Sequence, residues 1–288
     1  LKEPVKSIIV ENGRAVGVKT EQNTYRGDAV ILATGGMSYP LTGSTGDGYR
    51  MAQALGHKVT ELRPSLVPIE IANPVVTELM GLSLKNVRLT ALVEGKAKAN
   101  EFGEMMFTHF GITGPIVLSL SHTVGKLLRQ KKQKPVTLEL NLKPALSAEQ
   151  LDARIQRDFL KYSRKQLANG LGDLLPQRLI PVMIKEAGLD PEKVINQISR
   201  TERQALVHIL QHWQLPVKGL RPVAEAIVTA GGLSVKEFKP QTMESKLVPG
   251  LYAAGEVLDV DAFTGGYNLQ AAFSTGYVAA MHAVHGDE

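Results

Sequence analysis

The sequence predicts an α/β protein in which a parallel-sheet domain is interrupted by an inserted domain. Two short apolar runs, residues 29–33 and 251–254, have the composition of buried parallel strands, and each ends in a turn that contains glycine. Between these runs, alternating apolar and polar residues indicate antiparallel strands, and helical periodicity follows them. We therefore assign residues 1–63 and 221–288 to the sheet domain. The insert has a β-rich, barrel-like part at 64–146 and a small helical bundle at 147–220.

The composition excludes several kinds of chemistry. The 288 residues include no cysteine, which excludes disulfides, cysteine-ligated metal centres and the cysteine-pair chemistry of disulfide reductases. No apolar run approaches the ~18 residues that a membrane span needs, so we expect no membrane partner and a cytoplasmic location. The formal charge is +5, and its densest basic run, residues 126–134, is typical of a solvated turn. We therefore do not expect a nucleic-acid partner.

The first sheet segment contains a predicted hairpin and a predicted ligand-facing strand end. Alternating residues at 5–10 and 14–20 flank Asn12-Gly13, a pair typical of a two-residue turn. The run 29–33 ends at Thr34-Gly35-Gly36, and ligands meet open α/β sheets at such strand ends.

The glycine-rich loop at 43–48 resembles a phosphate loop in composition only. It lacks the Lys-Ser/Thr pair of a P-loop, and Asp47, in the predicted N-cap position, would repel phosphate. We predict a structural loop, followed by a helix from Gly48 to Leu55 that ends at Gly56.

The insert has recognisable local signals. Thr113 is placed to cap a helix that has Pro115 in its first turn, and Trp213 is expected to anchor either a core or a contact between domains. Half-buried strands are predicted at 65–71, 85–94 and 135–142. Two capping boxes are predicted, Ser147-x-x-Gln150 and Ser199-x-x-Glu202.

The second sheet segment carries the strongest site pattern. After the strand at 251–254, Gly255-Glu256 combines a backbone that a ligand can approach closely with a carboxylate that can accept from a polyol hydroxyl. Gly265-Gly266 then opens a helix, whose unpaired N–H groups and positive dipole end suit a developing negative charge. An ordinary strand–loop–helix unit, with glycines for tight packing, is the alternative.

Several motifs together resemble one family. Residues 250–276, GLYAAGEVLDVDAFTGGYNLQAAFSTG, are similar to the closing FAD motif of the bacterial BaiN/YhiN-like flavoproteins, a branch of the two-dinucleotide-fold flavin oxidoreductases. Other similar segments lie at 38–57, 107–115 (Thr113 replaces a serine of the family), 229–232 and 242–259. The resemblance implies a Rossmann-like FAD-binding domain. The strand–GxGxxG–helix unit of that domain is absent from the sequence, so we expect the C-terminal portion of such a protein, a fragment.

The resemblance implies a set of cofactor-binding residues. Thr34 and Gly35 would lie near the phosphate or ribose of FAD, and Glu256 would accept from a ribityl hydroxyl. The N–H groups of residues 267–269 would face the N1/O2 edge of the ring. For Gly231-Gly232, a simple tight turn is an equal alternative. The full set is Thr34, Gly35, Gly36, Gly231, Gly232, Gly255, Glu256, Gly265, Gly266, Tyr267, Asn268 and Leu269.

Catalysis and metal binding have fewer candidates. His109 is the best proton-handling residue, because imidazole titrates near neutral pH, and Thr108 is a secondary candidate. A histidine that only holds a loop through hydrogen bonds is the alternative. His208 and His212 share a helical face, but without an acidic third ligand nearby we expect no metal site.

The function that the resemblance implies is an FAD-dependent oxidoreductase that transfers a hydride between flavin N5 and an unidentified small organic substrate. Its electrons would come from NADH, NADPH, oxygen or a partner protein. Because the glycine fingerprint is absent, we expect this chain to bind FAD weakly or not at all, and to be inactive alone. The strands near Val30 and Tyr252 would lack their central neighbour, and such exposed edges favour a homodimer. A flavin-dependent tRNA-modifying protein and a non-catalytic ligand- or protein-binding module are the alternatives.

Overall fold

The structure is a computed structural model that describes residues 3–130 and 134–285. The chain divides into two compact units: unit 1 comprises Leu1–Val67 and Arg221–Glu288, and unit 2 comprises Pro68–Leu220. Lys131 and Lys132 of the basic run 126–134 lie outside the described residues. In the part of the chain that is described, no helix is long and apolar enough to cross a membrane.

Strands and helices are numbered along the chain. The strands are β1 (Ser7–Glu11), β2 (Arg14–Lys19), β3 (Thr24–Arg26), β4 (Val30–Leu32), β5 (Arg63–Ser65), β6 (Ile69–Ile71), β7 (Ser83–Val93), β8 (Lys96–Phe107), β9 (Gly111–Thr113), β10 (Val136–Asn141), β11 (Trp213–Leu220), β12 (Val228–Ala230) and β13 (Leu251–Ala253). The α-helices are α1 (Asp47–Ala54), α2 (Val75–Glu78), α3 (Pro115–Leu128), α4 (Ala148–Lys161), α5 (Ile180–Glu186), α6 (Arg200–Gln211) and α7 (Tyr267–His285).

The predicted hairpin at the start of unit 1 is confirmed. β1 and β2 pair antiparallel, and β3 pairs with the other side of β2. Both turn residues have left-handed backbones, with φ of 51° at Asn12 and 78° at Gly13. Two such residues give the turn a twist that matches the twist of the flanking strands.

Strands β4 and β13 of unit 1 form a two-stranded parallel sheet. β4 and β13 pair directly, with Leu251 opposite Val30. The two strands are therefore hydrogen-bonded to each other in a sheet of two described strands, and the absence of their usual central neighbour stays a prediction. The run 29–33 is also less covered than predicted, since Ile31 is 40% exposed. A homodimer through the outer edges of this sheet stays a prediction.

The segment predicted as one strand at 65–71 forms two strands. β5 pairs with β12 in unit 1, whereas β6 belongs to the sheet of unit 2. Between them, Leu66 has a left-handed backbone with φ of 54°, which ends the extended run. The side chain of Leu66 is only 2% exposed, so a buried apolar residue stands at the break. The apolar pattern of the sequence therefore gives no sign that the strand ends there.

Two predicted helix caps are wrong. The N-caps of α1 and α3 are Gly46 and Gly114, with φ of 77° and 105°, and not Asp47 and Thr113. Glycine adopts these positive φ values without the penalty that other residues incur. Asp47 lies instead in the first turn of α1, where its Oδ1 accepts from the backbone N–H of Gly48 at 3.2 Å. A carboxylate at this end of a helix is still favourable.

Unit 2 is built on a closed barrel formed by six of the described strands, in the order β10-β11-β6-β9-β8-β7. Every pairing in the ring is antiparallel. Helix α3 contacts all six strands, and Leu120 and Val124 are buried on it. Strands β8, β9 and β11 were not predicted. β11 is a correction to the domain assignment, because its residues fall in the 147–220 segment that we assigned to the helical bundle.

The helical part of unit 2 follows the predicted pattern more closely. Both capping boxes are confirmed: in α4 and α6 the serine accepts from the backbone N–H three residues later, and that residue's side chain accepts from the serine N–H. Trp213 is fully buried, and its ring centroid lies 5.8 Å from that of Phe107. The tryptophan is therefore the core anchor that the sequence predicts, although it begins a barrel strand.

One face of α7 in unit 1 is apolar and exposed. Its residues recur at helical spacing and are 63%, 70%, 68% and 78% exposed at Leu269, Phe273, Tyr277 and Val284. A continuous exposed apolar patch marks a contact surface.

Gly276 lies on this helix and gives a simple test of its surroundings. A Cβ at this position would meet no other atom within 4 Å. Because glycine in a helix interior is less favourable than alanine by about 1 kcal/mol, we expect Gly276→Ala to raise the free energy of unfolding by about 0.5–1 kcal/mol. Urea denaturation measures the change, and a loss of stability would contradict the open surroundings.

Candidate functional site

Unit 1 contains a cavity of about 430 Å³ beside the carboxyl end of β13 and the start of α7. Ligand pockets typically measure about 300–1,000 Å³. Apolar residues such as Leu66, Ile227 and Phe263 form much of the wall. Six of the predicted cofactor residues also line the cavity: Gly255, Glu256, Gly265, Gly266, Asn268 and Leu269. The structure therefore brings the strand end and the helix start of the predicted site to one place.

The start of α7 presents backbone N–H groups beside the cavity. Gly265 and Gly266 have φ of 116° and 89°, a conformation that favours glycine. The N–H of Gln270 donates to the carbonyl of Gly266 at 2.9 Å, so the N–H groups of residues 267–269 precede this first helical bond. The described first turn of α7 contains no acidic residue, so the positive end of the helix keeps its charge. Tyr267 is 65% exposed and does not line the cavity.

Asn268 and Thr275 fix this helix to its surroundings. The side-chain amide of Asn268 donates to the carbonyl of Ala262 and accepts from the N–H of Ala262, both at 2.9 Å. The N–H of Gly255 donates to Thr275 Oγ1 at 3.0 Å, which joins the end of β13 to the middle of α7. Sequence reasoning missed Thr275, because a threonine inside a helix carries no motif signal.

Glu256 holds the wall of the cavity together. Its Oε1 accepts from the N–H of Thr229 at 2.7 Å and from the hydroxyl of Ser38 at 3.2 Å. Thr229 Oγ1 in turn accepts from the N–H of Met37 at 2.8 Å. One carboxylate oxygen is thus engaged by protein groups from two other segments. The predicted contact with a ribityl hydroxyl stays a prediction, and sequence reasoning missed Ser38 and Thr229.

Gly36 is packed where no side chain fits. A Cβ at this position would lie 2.6 Å from Glu256 Oε1 and 2.7 Å from Thr229 Cβ. The preceding Gly35 has φ of 72°, and the buried Oγ1 of Thr34 has no hydrogen-bond partner among the described residues. Thr34, Gly35 and Gly36 do not line the cavity. Gly36 packs against Glu256, which does line it.

Gly231 and Gly232 are buried by backbone. A Cβ at Gly231 would lie 2.8 Å from the carbonyl carbon of Glu61, and one at Gly232 would lie 2.7 Å from the carbonyl oxygen of Val257. Neither residue lines the cavity. The pair therefore allows close packing of three chain segments, and its contact with a cofactor stays a prediction.

The two predicted catalytic residues lie in unit 2, in the turn between β8 and β9. The backbone N–H of Thr108 donates to the carbonyl of Gly111 at 2.8 Å. The Oγ1 of Thr108 accepts from the N–H of Gly111 at 3.1 Å. His109 is exposed at the tip, with its ring 4.9 Å from that of Phe110 in an edge-on arrangement. Thr108 thus shapes the turn that presents His109, and the catalytic role of both residues stays a prediction.

A serine–histidine–glutamate arrangement occurs elsewhere in unit 1. His57 Nδ1 lies 3.0 Å from Glu237 Oε2, and its Nε2 lies 3.0 Å from Ser245 Oγ. Ser245 is only 2% exposed, and its Oγ also accepts from the N–H groups of Leu247 and Val248 at 3.0 and 2.9 Å. A nucleophile needs access to its substrate. The arrangement is therefore a structural link between the end of α1 and the segment before β13.

The other histidine pair, on α6, lies close together. The rings of His208 and His212 have centroids 5.0 Å apart. His212 Nδ1 lies 3.1 Å from Glu139 Oε2, a contact between α6 and β10. In the described residues, no group of three or more histidine, aspartate or glutamate side chains is arranged to hold a metal ion.

The chain combines a barrel and a helical bundle in unit 2 with a glycine-rich strand–helix site in unit 1. This combination is typical of one protein family. Residues 63–228 match the family described as "HI0933-like protein barrel and H2TH domain". The chain belongs to this HI0933-like family, which confirms the resemblance drawn from its motifs.

Characterised relatives carry the names of enzymes. The chain is 37% identical over 254 residues to the "Ribosomal RNA dihydrouridine synthase" of Haemophilus influenzae, covering 88% of this chain and 59% of that protein. It is 32% identical to the protein of the same name from Escherichia coli, covering 89% and 61%. It is 29% identical to the "3-dehydro-bile acid delta(4,6)-reductase" of Clostridium scindens, covering 92% and 64%. The chain thus spans about three fifths of the length of these relatives.

Among solved structures, GidA of Aquifex aeolicus aligns with 98% of this chain and 43% of its own, at 16% sequence identity and a TM-score of 0.34.

Proposed function

We propose that this protein takes part in the reduction of a carbon–carbon double bond that is conjugated to a carbonyl group, with FAD as the cofactor. The observation that carries the proposal is the cavity of unit 1, where a strand end with Gly255 and the bare start of α7 meet. The names of the relatives support the reaction class. Dihydrouridine is uridine whose ring double bond next to a carbonyl has been reduced, and a delta(4,6)-reductase of a 3-dehydro steroid acts on a double bond of the same kind.

The residues around the cavity fit a flavin. Gly255 (φ 75°) and Gly266 (φ 89°) leave room for a close approach, since a Cβ at Gly266 would meet no other atom within 4 Å. The apolar side chains of Ile227, Leu258 and Phe263 suit the flat faces of a ring system. When bound and first reduced by NADH or NADPH, FAD would supply two electrons as a hydride.

The start of α7 would stabilise negative charge on a bound ring. A helix terminus contributes about 0.3–1 kcal/mol, and up to about 2 kcal/mol when partly buried. For a two-electron couple, this corresponds to a potential shift of about 6–40 mV. The helix therefore adjusts the reduction potential of the cofactor and does not create its reactivity. Glu256 would hold the opposite wall through Ser38 and Thr229, with its Oε2 left to accept from a ribityl hydroxyl.

Reduction of a conjugated double bond also needs a proton for the carbon next to the carbonyl. His109 would supply it, because its ring is exposed and histidine is the side chain that most often serves as a general acid. Thr108 would act indirectly, by fixing the turn that carries His109.

The test uses the protein expressed from its complete reading frame. We expect the purified protein to show flavin absorbance that is bleached by NADH or NADPH and restored by a uridine-containing RNA or by a 3-oxo-4-ene steroid. A colourless protein that ignores added FAD would refute the proposal. Calorimetric titration of the present 288 residues alone is expected to give weak or no FAD binding, because they lack the glycine fingerprint for the pyrophosphate.

Asn268→Ala gives a finer test of the helix start. The substitution removes both hydrogen bonds to Ala262 and frees the loop before α7. Since each net hydrogen bond contributes about 0.5–1.5 kcal/mol, we expect the Kd for FAD to rise by roughly tenfold. Gln270→Ala is the matched control, because this exposed side chain bonds to Ser274 on the same helix. If both substitutions change the Kd for FAD equally, the hydrogen bonds of Asn268 do not support the FAD site.

A further inference from the structure

The outer face of the β7–β8 ladder in unit 2 combines an exposed aromatic ring with cations. Phe102 on β8 is directly opposite Arg88 on β7, and Asn100 is directly opposite Thr90. Directly paired residues of an antiparallel ladder have their side chains on the same side, about 5 Å apart at Cβ. The Phe102 side chain is 58% exposed. We name Arg88, Lys98, Asn100 and Phe102 the β7–β8 face.

The cations of this face are available to an outside partner. Arg88 and Lys98 are exposed, and neither takes part in an ion pair among the residues that the structure describes. Several other surface cations of unit 2 are paired, for example Lys161 with Asp173 at 2.7 Å and Lys193 with Glu202 at 2.7 Å. Arg88 and Phe102 are separated by 14 positions in the sequence, so pairing of the two strands is what brings them together.

We propose that the β7–β8 face binds single-stranded RNA. The ring of Phe102 would stack on one unpaired base, Arg88 and Lys98 would contact the flanking phosphates, and Asn100 would bond to a base edge. Aromatic rings interleaved with cations are the combination that single-stranded nucleic acids require, because they offer exposed base faces and a repeated negative charge. The long paired strands fix the backbone positions of the four residues before any RNA binds.

This inference rests on the proposed function and narrows it. The double bond to be reduced would be that of a uracil ring within an RNA strand, which agrees with the names of two relatives. A steroid, in contrast, offers neither a repeated phosphate charge nor a planar aromatic base. Duplex RNA hides its base faces, so Phe102 would gain nothing from it.

The test is fluorescence anisotropy with a labelled, unstructured, uridine-rich RNA and with the same sequence in a duplex. We expect the full protein to prefer the single strand. Phe102→Ala should weaken this binding by about 5- to 150-fold, as for other base-stacking aromatics, whereas Phe102→Trp should retain it. Leu160→Ala is the matched control, because this 79% exposed side chain lies on α4 of the same unit. It should leave the affinity unchanged.

The salt dependence tests the cations separately. Replacing Arg88 and Lys98 together by glutamine should reduce the slope of log K against log salt by about 1.4, because each phosphate contact to a single strand contributes about 0.7. Lys185→Gln on α5 removes one exposed charge elsewhere on the unit and should leave the slope unchanged.

Three results would overturn the inference: no RNA binding by the wild type, equal affinity for the duplex, or unaltered binding by both Phe102→Ala and the double variant. The assay needs no flavin. A protein that binds FAD but not RNA would therefore contradict only this inference, and one that binds RNA but not FAD would contradict the proposed function and leave RNA binding by the β7–β8 face in place.

Discussion

Replacing Trp213 by alanine is expected to lower the free energy of unfolding by about 3–5 kcal/mol, the usual range for removing a large buried aromatic side chain. The indole is 0% exposed, begins strand β11 and lies against Phe107, so its loss leaves a cavity inside the barrel. Urea denaturation followed by circular dichroism measures the change. Fluorescence is unsuitable, since this is the only tryptophan in the sequence.

Trp213→Phe is the informative companion. The buried indole N–H has no hydrogen-bond partner among the described residues, so phenylalanine loses no bond and removes a buried donor. We expect Trp213→Phe to lower the free energy of unfolding by less than half as much as Trp213→Ala does. If both substitutions destabilise the protein equally, the N–H has a partner and the aromatic volume is not what matters.

Gly36→Ala is expected to have the largest effect on the candidate FAD site. The new Cβ would lie within 2.7 Å of both Glu256 Oε1 and Thr229 Cβ, and Thr229 cannot yield without breaking its bond to Met37. Overpacking of this kind costs about 1–3 kcal/mol. If this whole cost falls on the FAD-binding conformation, the Kd for FAD rises by about 5- to 150-fold.

Gly276→Ala controls for the substitution itself, since it adds the same methyl group in unit 1 at an open position. It should leave FAD affinity unchanged. Unaltered FAD binding by Gly36→Ala, with the fold intact by circular dichroism, would show that the contacts among Gly36, Thr229 and Glu256 do not support the site.

Several features that depend on neighbouring residues were predictable from the sequence, although the caps predicted at Asp47 and Thr113 were wrong. The turn at Asn12-Gly13 and the capping boxes at Ser147 and Ser199 require only residues within a few positions of each other. Family membership was also predictable, because several motifs occur in the expected order. The helix start after Gly265-Gly266 was predictable as well, because the glycine pair directly precedes α7.

Features that depend on distant residues were not predictable. β8 has a weak apolar alternation, with lysines and a glycine, and it becomes a strand because β7 and β9 pair with it. The partners of Glu256 come from segments 27 and 218 positions away. The β7–β8 face was invisible for the same reason: a search for basic runs finds residues 126–134, whereas Arg88 and Phe102 meet only after the strands pair.

The closed ring of unit 2 has a consequence for folding. Its last closure joins Ile71 to Val217, and Ile69 to Leu220. During synthesis at about 5–20 residues per second, β6 waits roughly 7–30 s for β11 to leave the ribosome. Until then β6 and β10 each have one unpaired side, at which strands of other nascent chains can add. Early folding of the intervening helices would shorten the loop that must close, and so reduce the time spent in this vulnerable state.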